Sequence, residues 1–281
     1  MPFEIAAVVL LAALAHASWN ALVKSDDDRL VTLGAVNAVR FLLCIPLVLV
    51  LPLPVRASWP YLVASAILHI GYYTFLIAAY RFGDLSKVYP LARGLSPLIV
   101  AAGAFVFAGE QLGSIALAGV AVACAGIASL SVGGGAMHPD EHRRGVVFAA
   151  GTALFIAAYT VTDAMGVRLS GNVLSYMAWL AVLNGLPMLL AAAVVRRAAL
   201  ARHLVARAWK SVVGGVLQLT AYGLVLWALA LAPMAAVSAL RETSVLFAAI
   251  IGVKLLGEPL GARRILAAAL VAAGIMMVEW G

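Results

Sequence analysis

Apolar runs of about 20 residues follow one another from end to end of this chain, joined by short polar stretches. Each is long enough to cross roughly 30 Å of hydrocarbon as a helix. Ten are read, approximately 3–22, 31–52, 60–80, 86–108, 112–132, 145–166, 173–195, 210–230, 234–256 and 261–279. Hydrocarbon offers no partner to an exposed backbone N–H or C=O, and the runs are too long and continuous for barrel strands. They predict an all-α bundle of ten transmembrane helices with no soluble domain between them. Composition agrees, since 65% hydrophobic and 11% charged residues lie far from the values of water-soluble domains, about half and about a quarter respectively.

The net charge of +7 would suggest nucleic acid in a soluble protein, but its placement argues against that partner here. The excess sits in joints between apolar runs, and no extramembrane domain is present to build a basic face. Cys44 and Cys124 both fall inside apolar runs, which argues against a structural disulfide, and no Cys/His spacing matches a metal site. The segment Ala13-Leu14-Ala15-His16-Ala17 imitates a signal-peptidase site, but no Lys or Arg precedes its run, so 3–22 is kept as the first helix.

The chain is also a duplication. Arg93 is followed by an apolar run and Gly109-Glu110-Gln111-Leu112, and 148 positions later Arg241 is followed by an apolar run and Gly257-Glu258-Pro259-Leu260. His69 and Tyr73 align with Gln218 and Tyr222, and Trp19 with Tyr159. A Gly-rich polar joint, 133–144, divides the chain into repeats 1–132 and 145–281. Five spans per repeat make the second copy enter the membrane from the opposite side, an inverted-topology arrangement found mainly in transporters. Lys and Arg cluster in the joints after the odd-numbered runs, among them Lys24, Arg81, Arg143, Arg196 and Arg263, whereas the other joints hold only Arg56 and Arg168. By the positive-inside rule the odd joints are cytoplasmic and both termini outside. Small-residue spacings such as Gly119 with Ala123 and Ala268 with Ala272 fit close packing within the bundle or a homodimer interface.

Two sets of five runs, the Trp19-Asn20 pair late in the first, and Gly-Glu-x-Leu after the fourth run of each half resemble the EamA-domain members of the drug/metabolite transporter superfamily, over nearly the whole chain. The resemblance implies a central cavity lined near runs three, four, eight and nine, which alternates between the two membrane faces to export or import a small metabolite. Two features depart from that pattern. Family members keep both termini in the cytoplasm, opposite to the arginine distribution. Four-span relatives couple to protons through a glutamate in their first span, where the interior of the first run here offers His16 and no acid.

An arginine at membrane depth needs protein, water or substrate around it. Arg93 and Arg241 occupy matching positions, so the inverted symmetry predicts that they meet around one cavity, where two guanidinium forks suit a carboxylate or phosphate. The alternative is that each bonds helix-end carbonyls or snorkels to an interface. Arg40 has no repeat counterpart, which favours that structural role for it. Glu242 follows Arg241 directly, so on a regular helix the two side chains point about 100° apart and do not neutralise each other. Glu242 is either a cavity-facing proton carrier or a structural partner of Arg93 or Arg40. Pro90 and Pro97 bracket Arg93 and predict a bent or broken fourth span, with Thr243 and Ser244 in the corresponding place of the ninth.

His69, Tyr73, Gln218 and Tyr222 form a polar stripe, one helical turn separating the members of each pair. With Trp19, Asn20, Tyr89, Tyr159 and Ser244 they complete the expected substrate-binding set, and His69 is a second candidate for proton coupling. Trp59, Trp209 and Trp280 read as interface anchors, Glu110 and Glu258 as helix caps, and Asp26, Asp27 and Asp28 as a solvated loop. No nucleophile with its base, phosphate-cradling loop or cofactor motif is present, so an enzyme is not expected. The expected protein is a secondary transporter of a small anionic metabolite in a bacterial inner membrane, its partners the substrate and the lipid bilayer. The competing reading is a lipid flippase or scramblase that grips a headgroup phosphate with the same arginines.

Overall fold

The computed structural model describes residues 1–26, 28–82, 85–130, 139–256 and 262–280, and every secondary-structure element among them is helical. The helices are α1 (Phe3–Lys24), α2 (Arg29–Val50), α3 (Trp59–Phe82), α4 (Leu85–Ala108), α5 (Ser114–Ser129), α6 (Pro139–Leu169), α7 (Val173–Ala206), α8 (Ala208–Leu231), α9 (Met234–Arg241), α10 (Ser244–Leu256) and α11 (Ala262–Trp280), with a single 3-10 turn at Arg56–Ser58. Six stretches, 3–23, 30–50, 90–108, 143–169, 173–206 and 208–231, are long and apolar enough to cross a membrane. Two helix starts are fixed by side-chain caps: the Asp28 carboxylate accepts from the Val31 amide at 3.2 Å and the Asn172 side chain from the Ser175 amide at 3.0 Å.

Helix limits follow the apolar runs except where local chemistry shifts them. The α7 helix continues past its run to Ala206 across a kink at Arg196 (φ −136°, ψ 34°), so its last turns, rich in Arg, extend beyond the apolar stretch. The expected break in the fourth span does not occur there. Pro97 removes the donor that would serve the Arg93 carbonyl, and Ser96 Oγ supplies it instead at 3.1 Å, which lets α4 run unbroken. The interruption lies in the ninth span, between α9 and α10. Hydrogen bonds there tighten to three-residue steps, Glu242 N to Ala239 O and Thr243 N to Leu240 O, both 3.1 Å, while Thr243 Oγ1 also donates to Leu240 O at 2.8 Å.

The principal helix contacts join the halves: α3 packs on α6, α5 on α11, α2 on α7 and α1 on α8. Exchanging helices five spans apart, with α9 and α10 counted as one, converts each of these pairs into another of the set or into itself. Gly119 and Gly274 make the α5–α11 contact close enough that a Cβ on either would sit 2.5 Å from the other's carbonyl oxygen. Ala123 is in the same contact, so this small-residue stripe is used within the chain. Cys44 and Cys124 are both buried and free.

A leucine at position 274 would meet backbone atoms that cannot swing aside, namely the Gly119 carbonyl and the Ala123 amide. Gly274→Leu is expected to destabilise the fold by about 1–3 kcal/mol, read as a lower thermal-unfolding midpoint of the detergent-purified protein. An unchanged midpoint would contradict this packing.

Candidate functional site

Eight of the residues singled out in the sequence surround one cavity: Trp19 of α1, His69 and Tyr73 of α3, Arg93 of α4, Tyr159 of α6, Gln218 and Tyr222 of α8, and Arg241 of α9. Its volume is about 90 Å³, room for a few waters at roughly 30 Å³ each and well below the several hundred Å³ usual for a small-molecule pocket. The site is contracted. Aromatic rings form much of the wall. His69 stacks on Tyr159 with ring centroids 4.1 Å apart, and Tyr72 and Tyr222 meet that pair edge-on. His16 and Trp19 pack edge to face at 5.4 Å on the α1 side.

Arg40, expected to be structural, joins Arg93 and Arg241 in the lining, so three guanidiniums face one small space. Among the described lining residues there is no carboxylate. Glu242 lies behind the wall, 0% exposed. Its Oε2 is 2.8 Å from Arg93 Nε and its Oε1 is 3.7 Å from Arg241 Nε. The expectation that Arg241 and Glu242 stay apart is corrected, because α9 ends at Arg241 and Glu242 falls in the tightened turn that follows. The longer distance still leaves Arg241 weakly neutralised. Arg241 Nε and Nη2 and Arg40 Nε and Nη2 are buried with no hydrogen-bond partner among the described residues, and the two side chains belong to residues only 4% and 8% exposed. A buried guanidinium donor left unmet is costly, and such groups in a cavity wall call for a ligand or water.

The remaining candidates sit differently. Ser244 is buried beside the cavity rather than in its lining, and its hydroxyl accepts from Arg93 Nη2 at 3.4 Å. Asn20 donates to the His16 carbonyl at 2.8 Å within α1 and is not a lining residue. The Tyr89 side chain, Asp27 and Glu258 lie outside the described residues. Glu110 is a cap, but of a different helix: it accepts from the Met234 amide at the start of α9 at 2.7 Å and pairs with Arg168 Nη1 at 2.6 Å. Of the expected anchors, Trp209 and Trp280 are exposed, whereas Trp59 packs on Trp179 with centroids 5.0 Å apart.

Two residues escaped the sequence reading. Asn184 of α7 lines the cavity, and nothing in its local sequence distinguishes it from a packed polar residue. Asp163 of α6 is fully buried, accepting from Tyr176 Oη at 3.0 Å and from Tyr222 Oη. Its signal was present, a single acid inside the sixth apolar run.

A second hollow of about 290 Å³ lies where the α1–α2 joint meets the end of α7, lined by Asp26, Asp28, Thr32, Arg202, His203 and Arg207 among others. Asp26 is the tie between halves there. Its Oδ1 accepts from Lys210 Nζ at 2.8 Å and from Arg207, and its Oδ2 from Thr32 Oγ1 at 3.1 Å. The loop expected to be solvated is therefore clasped at Asp26.

The model of the EamA-like transporter family matches the chain twice, over residues 4–132 and 143–280. A solved crystal structure of a protein superposes with a TM-score of 0.70 over 99% of this chain and 96% of that one, at 19% sequence identity, a likeness of fold alone. No curated protein matches the chain by sequence.

Burial alone would raise the Asp26 carboxyl, but the hydrogen bonds from Lys210 and Thr32 and the charges of Lys210 and Arg207 outweigh it and hold the group below its usual range. A carboxyl that ionises at lower pH folded than unfolded contributes its stability above the usual carboxylate value, and loses it as pH falls through the lowered one. The wild-type unfolding midpoint is expected to fall on acidification below about pH 4, and Asp26→Asn to lower it by about 1–3 kcal/mol at neutral pH with a smaller further acid loss. Equal acid sensitivity in the two proteins would dismiss the clasp.

Proposed function

The chain belongs to the EamA-like transporter family, a multi-pass membrane transporter of small molecules, and from that premise we propose that it is a secondary transporter of a small carboxylate- or phosphate-bearing metabolite. Arg93, Arg241 and Arg40 hold the anionic group. His69, Tyr73, Tyr159, Gln218, Tyr222 and Trp19 enclose the rest of the molecule, with Ser244 at the edge of the site. The observation that carries this reading is the charge of the lining: three guanidiniums, two with unmet buried donors, and no carboxylate among the described residues that face the space. A cation would meet repulsion in a low-dielectric setting, while an anion satisfies donors that already carry a desolvation cost.

Transport proceeds by alternating access between two inverted five-helix repeats, 1–132 and 145–281, which join at 133–144 and together supply ten spans of a bacterial inner membrane. The mutual exchange of helix pairs under a five-span shift supports this reading. So does the small volume of the cavity, about 90 Å³, which must widen to admit a metabolite. Charge clusters tie the halves together at two places, Asp26 with Arg207 and Lys210, and Glu110 with Arg168 and the α9 start. Each must part for its side to open.

The test is a thermal-shift screen with carboxylates, phosphate esters, amines and zwitterions, followed by binding to variants. Arg40→Gln removes donors with no partner among the described residues, and Arg241→Gln gives up a 3.7 Å approach to Glu242 that Arg93 still holds at 2.8 Å, so the fold should tolerate both, while affinity for the best anion falls about 10- to 100-fold, the worth of one or two charge-assisted hydrogen bonds. Arg93→Gln alone would strand Glu242 in a buried place, a loss of about 3–5 kcal/mol, so Arg93→Gln with Glu242→Gln is the fair comparison. Stabilisation by amines instead of anions, or anion affinity untouched by both single variants, would overturn the proposal. Stabilisation only by lipids with phosphate headgroups would favour a flippase.

A further inference from the structure

Among the described residues, two carboxyls are fully buried within the helices of the bundle, Glu242 and Asp163. Glu242 is engaged by Arg93 at 2.8 Å. Asp163 makes no ion pair with a described residue and is held by hydroxyls instead. Tyr176 of α7 donates to Oδ1 at 3.0 Å and Tyr222 of α8 to Oδ2. Ser65 Oγ lies 3.3 Å from His69 Nδ1. Tyr222 and His69 both line the cavity, with rings edge-on at 6.1 Å. Asp163 is thus out of contact with the cavity yet joined to it by a hydroxyl route through Tyr222.

A tyrosine that only braced the bundle would have no need to place its ring on the cavity and its hydroxyl on a buried acid. A hydroxyl in that position can accept a proton on its oxygen and pass its own onward. We propose that Asp163 is the proton-binding site of the transport cycle, loaded from the cavity through Tyr222, and that the proton travels in the same direction as the anion. This rests on the anion-transporter reading. A proton taken from cavity water by Tyr222 Oη is matched by the proton that Tyr222 gives to Asp163 Oδ2, release is the reverse, and no electron changes hands.

The direction of coupling follows from charge. The groups around Asp163 are Ser65 and His69 on α3, Tyr176 on α7, Tyr222 on α8, Tyr159 on its own helix, and Arg241 on α9, whose charge reaches it. Across the wider site Arg40, Arg93 and Arg241 face Glu242 and Asp163. With both acids ionised and the histidines neutral, one positive charge is in excess, and with Asp163 protonated there are two. The protonated site holds an anion more tightly, and by reciprocity a bound anion holds the proton more tightly. Anion and proton therefore load together.

Dicyclohexylcarbodiimide tests the proton site without a substrate. A protonated carboxyl in an apolar setting adds its O–H across a C=N bond of the reagent, and the adduct rearranges to a stable N-acylurea with no atom lost. In the full-length protein in lipid, mass spectrometry should find the label at Asp163, declining toward about tenfold per pH unit once deprotonation dominates. The same profile is expected in Glu242→Gln and no label at that position in Asp163→Asn. Absence of label at Asp163 at every pH, or labelling indifferent to pH, overturns the proposal even if the variant fails to fold.

The coupling is read in proteoliposomes with a pH dye inside, using succinate and inorganic phosphate as probes. Uptake of either should acidify the interior, and Asp163→Asn should keep counterflow of the probe while losing most of the accompanying proton. Proton movement that survives in Asp163→Asn, or alkalinisation during wild-type uptake, defeats the coupling. If the wild type carries neither probe but labels at Asp163 in a pH-dependent way, the anion reading fails and the proton site stands.

Discussion

A guanidinium placed deep in a membrane protein must find opposite charge, hydrogen-bond acceptors or water, and this requirement organises the centre of the bundle. Arg93 and Arg241 occur at matching positions of the two repeats, yet one acid serves both, with Glu242 2.8 Å from the first and 3.7 Å from the second. A helix regular through residue 242 would point that carboxylate about 100° away from its neighbour Arg241. The tightened turn between α9 and α10 is what lets the acid lie between the two cations. Thr243 sustains the turn by bonding back to the Leu240 carbonyl, and Ser244 takes a further donor of Arg93. The broken helix and the partial neutralisation are thus one feature.

The fold was legible because a single constraint dominates it. Apolar run length in a chain this hydrophobic leaves little choice of element, and the helices fall within a few residues of the runs except where polar sequence extends a helix, as after Arg196 in α7. Which span would break was less accessible. Pro90 and Pro97 are strong local signals, but Ser96 restores the carbonyl bond that Pro97 denies, and the weaker Thr243-Ser244 signal marks the true break. Repeat matching found Arg93 with Arg241, His69 with Gln218 and Tyr73 with Tyr222, and these line the cavity together. It could not find Arg40 or Asn184, which sit on α2 and α7 without a matching residue type, nor Asp163, whose surroundings depend on hydroxyls contributed by two other helices. A motif search sees residues that repeat, whereas a binding site also recruits residues that do not.

That asymmetry bears on how the site works. By the repeat spacing the counterpart of Glu242 is Gly94, where a side chain would be crowded: a Cβ on Gly94 would sit 3.0 Å from the Ala128 amide and 3.1 Å from the Cys124 carbonyl, where α4 packs on α5. The first repeat supplies no second acid at this level, and close packing there disfavours one, so the arginines outnumber the carboxylate. Arg40, on the first repeat, adds to the excess. A scaffold built from two related halves need not have symmetric electrostatics. Among the described residues the two acids with no exposure, Glu242 and Asp163, both belong to the second repeat, while the unmet donors of Arg40 and Arg241 come one from each. On the proposed reading, a movement of one half against the other changes how far Glu242 shields Arg93 and Arg241, so the positive charge offered to an anion would vary with the conformation that exposes it.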